Sequence, residues 1–247
     1  MQATGREITL EFVAGYIFLL GKTPKYANVW RFCVDHHDTW KSTETQRLCR
    51  AVLEEDAKGA PGGWAYNDFL MTGGAGCATA SHCPGMTDDE YRTEFALWTL
   101  YQSPLIVDTD IRNMTDVMRQ TLLNEDIIRL HQSTITPPGK LLGRDWSCAV
   151  PGTSTRHGPC GSLYGRRANS NGSSWFVALV NEDGKVEQRL SLSFSLLGWP
   201  NNATALAEDL WKSSVEDKAT ASRATGGMLR RMVPPHGTAL VKLNLIR

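Results

Sequence analysis

Two hydrophobic patterns follow one another along the chain. Up to about residue 135, apolar runs that read as strands alternate with segments of helical period. "REITLEFV" (6–13) is a strand candidate, and "VWRFCVD" (29–35) is another that ends on Asp35. The longer run from Ile8 to Gly21 carries Glu11, lacks the flanks of a signal peptide, and reads as a buried strand and the connection after it. Asp38 or Thr39 can cap a helix through about Ala57, with Trp40, Leu48, Ala51 and Val52 on an apolar stripe. Residues 59–74 form a Gly-rich turn and a short segment ending in glycines. Thr87 and Glu90 make a capping box ahead of an aromatic helix with Tyr91, Phe95, Trp98 and Tyr101. "SPLIVDTD" (103–110) reads as a buried strand ending in acids, followed by helical pieces at 115–123 and 125–132.

From about residue 140 the period shortens. "SWFVALVN", "QRLSLSFS", "TALAEDLW" and "TALVKLNL" alternate partly at period two between Gly, Asn, Pro and Ser. This predicts an antiparallel β-sandwich behind four parallel βα units, with "TPPGK" (136–140) as the boundary. The expected division is residues 1–137 and 138–247. Acids at the C-terminal ends of parallel strands are where a (β/α)8 barrel carries its chemistry, although four units make only half of one.

Composition narrows the function. The 247 residues hold 26 Lys plus Arg against 26 Asp plus Glu, a net charge of zero with no basic block. Nucleic acid and polybasic membrane anchoring are therefore not expected partners, and a neutral substrate stays open. Eight Trp suit either sugar stacking or core packing. Cysteines at 77 and 83, and at 148 and 160, close short loops suited to local disulfides; Cys33 and Cys49 complete the set, and no CxxC appears. Asn113, Asn171 and Asn202 begin N-glycosylation triplets, which together with the cysteines lean towards a secreted, lysosomal or vacuolar setting. No run of about 18 apolar residues is present, so no membrane span is expected.

The candidate chemistry centres on Asp35-His36-His37-Asp38. Adjacent histidines diverge in a strand and lie about 100° apart in a helix, so no metal site and no cofactor are expected. Asp35 and His37, two apart, could share a face. An acid/base reading uses Asp35 at one strand end and Asp68 at the next, with Asp108 and Asp110 as further possibilities or simple helix caps.

These residues also carry a resemblance. "WRFCVDHHDTWKS" (30–42) resembles the acid/base segment of the family 27 glycoside hydrolases, the α-galactosidases and α-N-acetylgalactosaminidases. That family has Trp-Arg, an Asp four residues after the Arg, and Asp-Ser/Thr-Trp shortly beyond. "PGGWAYNDFLM" resembles its Pro-Gly-Gly-Trp-Asn-Asp-Pro-Asp-Met-Leu segment, and "MTDDEYRTEFALWTLYQSPLIVDTDIRNM" its next helix and last barrel strand. "ATGREI", "AEDLWK" and "VPPHGTALVKL" resemble the approach to the fifth strand and the end of the C-terminal β-domain. The resemblance implies the C-terminal half of a (β/α)8 barrel followed by an antiparallel β-sandwich. It implies retaining hydrolysis of α-galactosides on oligosaccharides, glycolipids or glycoproteins, no metal, and a possible homodimer. Asp35 falls on the general acid/base and Arg31 on an arginine that holds the sugar near it. Asp68 falls on a carboxylate for sugar hydroxyls, Trp64 on a wall or packing residue, and Phe69 on a position that is usually Met.

Departures from the pattern bear on substrate. Ala65-Tyr66-Asn67 stand where the family has Asn-Asp-Pro, so a tyrosine replaces an acid. Around Val13 the segment lacks the residue that separates galactose from N-acetylgalactosamine, and Cys33 is off the usual cysteine pattern. The family's nucleophile, in a Lys-x-Asp motif at the fourth strand, has no counterpart. The chain thus reads as a C-terminal fragment or a truncated gene product, with a non-catalytic sugar-binding remnant as the alternative. Half a parallel barrel leaves open strand edges, which invite a partner half or self-association.

Overall fold

The computed structural model describes residues 5–13, 27–52, 59–74, 84–147, 158–212 and 221–246. Its first part is a parallel sheet in chain order: β1 (Glu11–Val13), β2 (Val29–Arg31) and β3 (Trp64–Tyr66). Register runs Phe12 to Trp30 to Ala65, and a parallel bridge from Leu70 to Val107 continues the order. This is the C-terminal half of a (β/α)8 barrel. Helices α1 (Trp40–Val52), α2 (Asp88–Tyr101), α3 (Asp116–Leu122) and α4 (Glu125–Gln132) accompany it.

The second part is antiparallel. A six-stranded sheet runs β4 (Lys140–Asp145), β5 (Gly161–Arg167), β6 (Ser174–Asn181), β11 (Thr238–Ile246), β8 (Thr204–Asp209), β9 (Ser222–Ala224). A pair formed by β7 (Gln188–Ser193) and β10 (Met228–Val233) covers one face of it. Alternation along β6 sends Val177 and Leu179 into the core shared with Leu190, Leu192 and Leu229. Ala178 and Val180 face the other way, onto Phe95, Trp98, Ile127 and Leu130 of α2 and α4. Because β6 is buried on both faces, its sequence is a nearly unbroken apolar run. The sheet is therefore the middle layer of three.

Helix α2 starts as its sequence predicts. Thr87 accepts from the Glu90 amide while the Glu90 carboxylate accepts from the Thr87 amide at 2.7 Å. The other Glu90 oxygen accepts from His236 at 2.6 Å, and that imidazole stacks on Trp40. Thr87→Ala should cost about 1 kcal/mol, seen as a lower urea midpoint with an unchanged slope.

Several expectations need correction. The stripe of Trp40, Leu48, Ala51 and Val52 is not the inner face of α1: Leu48 and Val52 are exposed, and the buried residues are Ser42, Thr43, Gln46, Arg47 and Arg50. This face meets carbonyls, an acid and aromatic rings, the Arg50 guanidinium lying over Phe32 and Tyr101. Gln46 donates to the Val34 carbonyl at 2.7 Å, and Arg50 donates to the Tyr101 carbonyl at 2.9 Å. Thr39 rather than Asp38 caps α1, its hydroxyl accepting from the Ser42 amide, while Asp38 accepts from Tyr91 Oη at 2.6 Å. Strand β1 covers only 11–13 and is exposed, and 103–110 holds a single bridge with Ile106 and Val107 partly open. No described strand covers the outer edge or inner face of these segments, so their apolar side chains stay uncovered. The expected helix end at 53–57 and the run after Val13 lie outside the described residues.

One disulfide joins two cysteines for which no pairing was expected. Cys33 and Cys49 form a disulfide that ties the β2 end to α1 and packs against Trp30, Phe32 and Ala65. Spacing gives no hint of it, because the two cysteines stand sixteen positions apart, across a strand end and most of a helix. Cys160 is also half of a disulfide, whereas Cys77, Cys83 and Cys148 lie outside the described residues.

Candidate active site

Strand alternation positions the first charged group. Trp30 packs on the helix side with Phe32 and Ala65, so its neighbour Arg31 faces the inner side of the sheet. There the guanidinium joins two carboxylates. Nη2 lies 2.6 Å from Asp35 Oδ1, and Nη1 lies 2.7 Å from Asp68 Oδ2. Burial works against the arginine's charge, but Asp68 and then Asp35 outweigh it and raise its pKa above the usual value. The two acids differ in environment: the Asp35 side chain is 67% exposed and that of Asp68 only 6%. One is free to meet a ligand, and the other is fixed.

Asp68 is held in an uncommon conformation. Its φ is +74°, in the left-handed region that side chains rarely adopt. Such a residue costs of order 1–3 kcal/mol and persists where its surroundings over-determine it. Here they do. The Asp68 carboxylate accepts from the His36 amide at 2.9 Å and from the Phe69 amide at 3.0 Å. Its carbonyl accepts from Trp98 Nε1 at 3.0 Å.

Other sequence candidates fall around this centre. Phe69 is partly exposed and sits edge-on to Tyr66, ring centroids 6.0 Å apart. Trp64 shares the inner side of β3 with Tyr66 and is partly buried. Its ring lies against Gly59, where an added Cβ would come 2.5 Å from it, so only glycine fits. Tyr66, in the place of the family's acid, is buried, and its hydroxyl has no hydrogen-bond partner among the described residues. Burial, then the Asp68 charge, push its pKa up.

The histidines part company: His36 is buried and His37 exposed. Asp35 and His37 do share a face, lining one shallow depression with Thr39, Lys41 and Ser42. Asp110 is a cap, accepting from the Arg112 amide and guanidinium, and the paired arginine lowers its pKa to about 2. Asp108 donates its amide to the Leu70 carbonyl and so holds the last parallel segment in place.

The motifs assign no role to three residues around Asp68: His36, which anchors the turn, Trp98, which donates to it, and Glu94. Glu94 is completely buried on α2. It could have been found by pattern, since it is an acid inside the apolar stripe of Tyr91, Phe95 and Trp98.

Comparison with known proteins bears on the family and the fold. The alpha galactosidase A family model covers residues 18–133, and the alpha galactosidase C-terminal β-sandwich model covers residues 166–243. Alpha-galactosidase 3 of Arabidopsis thaliana is 27% identical over 185 residues, 75% of this chain and 37% of that protein. The alpha-galactosidase of Oryza sativa subsp. japonica is 27% identical over 215 residues, 86% of this chain and 43% of that one. The chain thus spans less than half the length of these two relatives. Among solved structures, a family 27 β-L-arabinopyranosidase from Geobacillus stearothermophilus superposes with a TM-score of 0.78 at 21% identity, over 100% of this chain and 52% of that one. A Saccharomyces cerevisiae α-galactosidase solved with raffinose gives 0.75 at 18%, over 99% and 66%. With both parts of this chain matched in order, the chain belongs to glycoside hydrolase family 27, the melibiases.

Proposed function

We propose that this chain supplies the acid/base half of a retaining α-galactosidase-like hydrolase, with Asp35 as the general acid/base. In the first step Asp35 would protonate the leaving glycosidic oxygen; in the second it would take a proton from water. Asp68 and Arg31 would hold sugar hydroxyls, Trp64 would wall the subsite, and Phe69 would close one side of it. The observation that carries this reading is the exposed Asp35 joined through one guanidinium to a fixed, buried Asp68 at the strand ends. Residues 1–137 would form the catalytic part and 138–247 the sandwich that supports it. The substrate class is a terminal α-D-galactoside on an oligosaccharide, glycolipid or glycoprotein, with N-acetylgalactosaminides as the competitor class. A secreted, lysosomal or vacuolar setting is favoured by exposed Asn113, Asn171 and Asn202, each beginning a glycosylation triplet. A homodimer belongs to the same reading. No described helix is long and apolar enough to cross a membrane.

The nucleophile would come from a Lys-x-Asp strand end, and no residue here matches one. The test joins the 247 residues to the first barrel half of the rice relative and measures hydrolysis of an aryl α-galactoside. Asp35→Asn should then lower kcat about 10²- to 10⁴-fold. An unchanged kcat in that variant removes Asp35 from the chemistry. A second reading, a non-catalytic sugar binder, expects galactose affinity without turnover in the joined protein.

A further inference from the structure

The turn from Asp68 to Gly74 is fastened at successive points by buried groups that the proposed chemistry does not use. His36 Nδ1 lies 3.0 Å from the Phe69 carbonyl, and its Nε2 lies 3.3 Å from Thr43 Oγ1. Glu94 Oε1 accepts from the Met71 amide at 2.8 Å, and Oε2 lies 2.6 Å from Thr72 Oγ1. The two side chains meet: His36 Nδ1 is 3.4 Å from Glu94 Oε1, and neither side chain has any exposed surface. Trp98 packs against the imidazole, ring centroids 5.0 Å apart, and donates to the Asp68 carbonyl. The turn then closes at Gly74, φ +53°, against Tyr91 Oη, where no Cβ fits.

We propose that His36 and Glu94 are positioning residues for Asp68, a buried pair that holds residues 69–72 so that Asp68 stays left-handed with its carboxylate on Arg31. The inference rests on reading Asp68 as a sugar-binding group. Two buried charges without water would be costly, and neutral forms avoid that cost. Burial raises the Glu94 pKa to about 8, opposed by the hydrogen bonds of Thr72 and Met71 and assisted by Asp38. Burial likewise lowers that of His36. The groups facing Glu94 are His36 and Asp38 from the β2–α1 segment, Thr72 from the turn, and Tyr91 on its own helix. Below about pH 8 the proton rests on Glu94, whose Oε2–H donates to Thr72 Oγ1, and the hydroxyl of Thr72 can pass on to the Tyr91 carbonyl at 3.5 Å. His36 keeps its proton on Nδ1 for Phe69. The pair thus replaces ionic attachment with directed hydrogen bonds, which fix geometry without leaving a charge beneath the site.

The test uses the full 247-residue chain, D-galactose as probe, and backbone amide NMR. In the wild type the Met71 and Thr72 amides should shift with a midpoint near pH 8, and Glu94→Gln should abolish that shift. Glu94→Gln keeps an acceptor for Met71 and a donor for Thr72, so galactose affinity should stay within about threefold. Glu94→Ala and His36→Leu should each weaken galactose about tenfold or more, the loss expected for a released buried hydrogen bond. If Glu94→Ala does not fold, the Glu94→Gln titration decides. Met71 and Thr72 amides that do not move between pH 6 and 9.5, or a Glu94→Ala chain that folds and binds galactose as the wild type does, overturn the inference. A wild type that binds no galactose overturns the proposed function instead, and the amide titration still judges the pair.

Discussion

Arg47→Met is expected to destabilise the protein by about 3–5 kcal/mol, the cost of leaving one buried ion alone. Arg47 on α1 meets Glu182, just beyond β6, through two parallel bonds of 2.7 and 2.8 Å. Only 8% and 14% of the two side chains are exposed. Ser162 also donates to Glu182, and the Trp40 ring lies beneath the guanidinium. Burial alone would raise the Glu182 pKa, but Arg47 outweighs it and holds the carboxyl below the usual range. A lowered folded pKa means stability that is present above the ordinary glutamate value and lost as pH falls through the folded one. Urea midpoints between pH 3 and 7 should therefore drop more steeply in the wild type than in Arg47→Met. Arg47→Met combined with Glu182→Leu should recover most of the loss, because no unpaired charge remains. A single variant within 1 kcal/mol of wild type would show that the pair is unimportant.

Arg31→Met is the second large effect. It strips the carboxylate of buried Asp68 of the cation it is paired with, while leaving Asp35 in water. The expected cost is about 3 kcal/mol in urea unfolding, together with loss of galactose binding. Asp35→Asn in the same assay should change stability by less than about 1 kcal/mol, because its side of the bridge is exposed. Arg31→Lys should fall between them, since an ammonium cannot span both acids with a planar fork. Equal stability of Arg31→Met and the wild type would mean that Asp68 is secured by its amide donors alone.

The sequence carried the architecture well and the fastening poorly. Capping boxes and period-two runs are local, so α2, β6, β8 and β11 were readable from neighbouring residues. Strands β4, β5, β9 and β10 carry glycine, serine or arginine in place of clean alternation, and their pairing comes from partners far along the chain. Helix α1 misled because its inward face is polar and bonded to specific groups, which hydrophobic period does not detect. Asp35, Arg31 and Asp68 were visible as acids and a base at strand ends. That one guanidinium bridges both acids, and that Asp68 is left-handed, depends on the turn's three-dimensional path.

Helix α2 touches both parts of the molecule at once. One side supplies Glu94 and Trp98 to the Asp68 turn, and the same helix lies on Ala178, Val180 and Leu240 of the central sheet. The sandwich thereby acts as a datum surface from which the site's dimensions are measured. Changes in side-chain size at Leu240, in a strand remote from Asp68, should be transmitted as a displacement of α2 and of the turn it holds. The geometry around Asp68 thus depends on the thickness of a wall on the far side of α2.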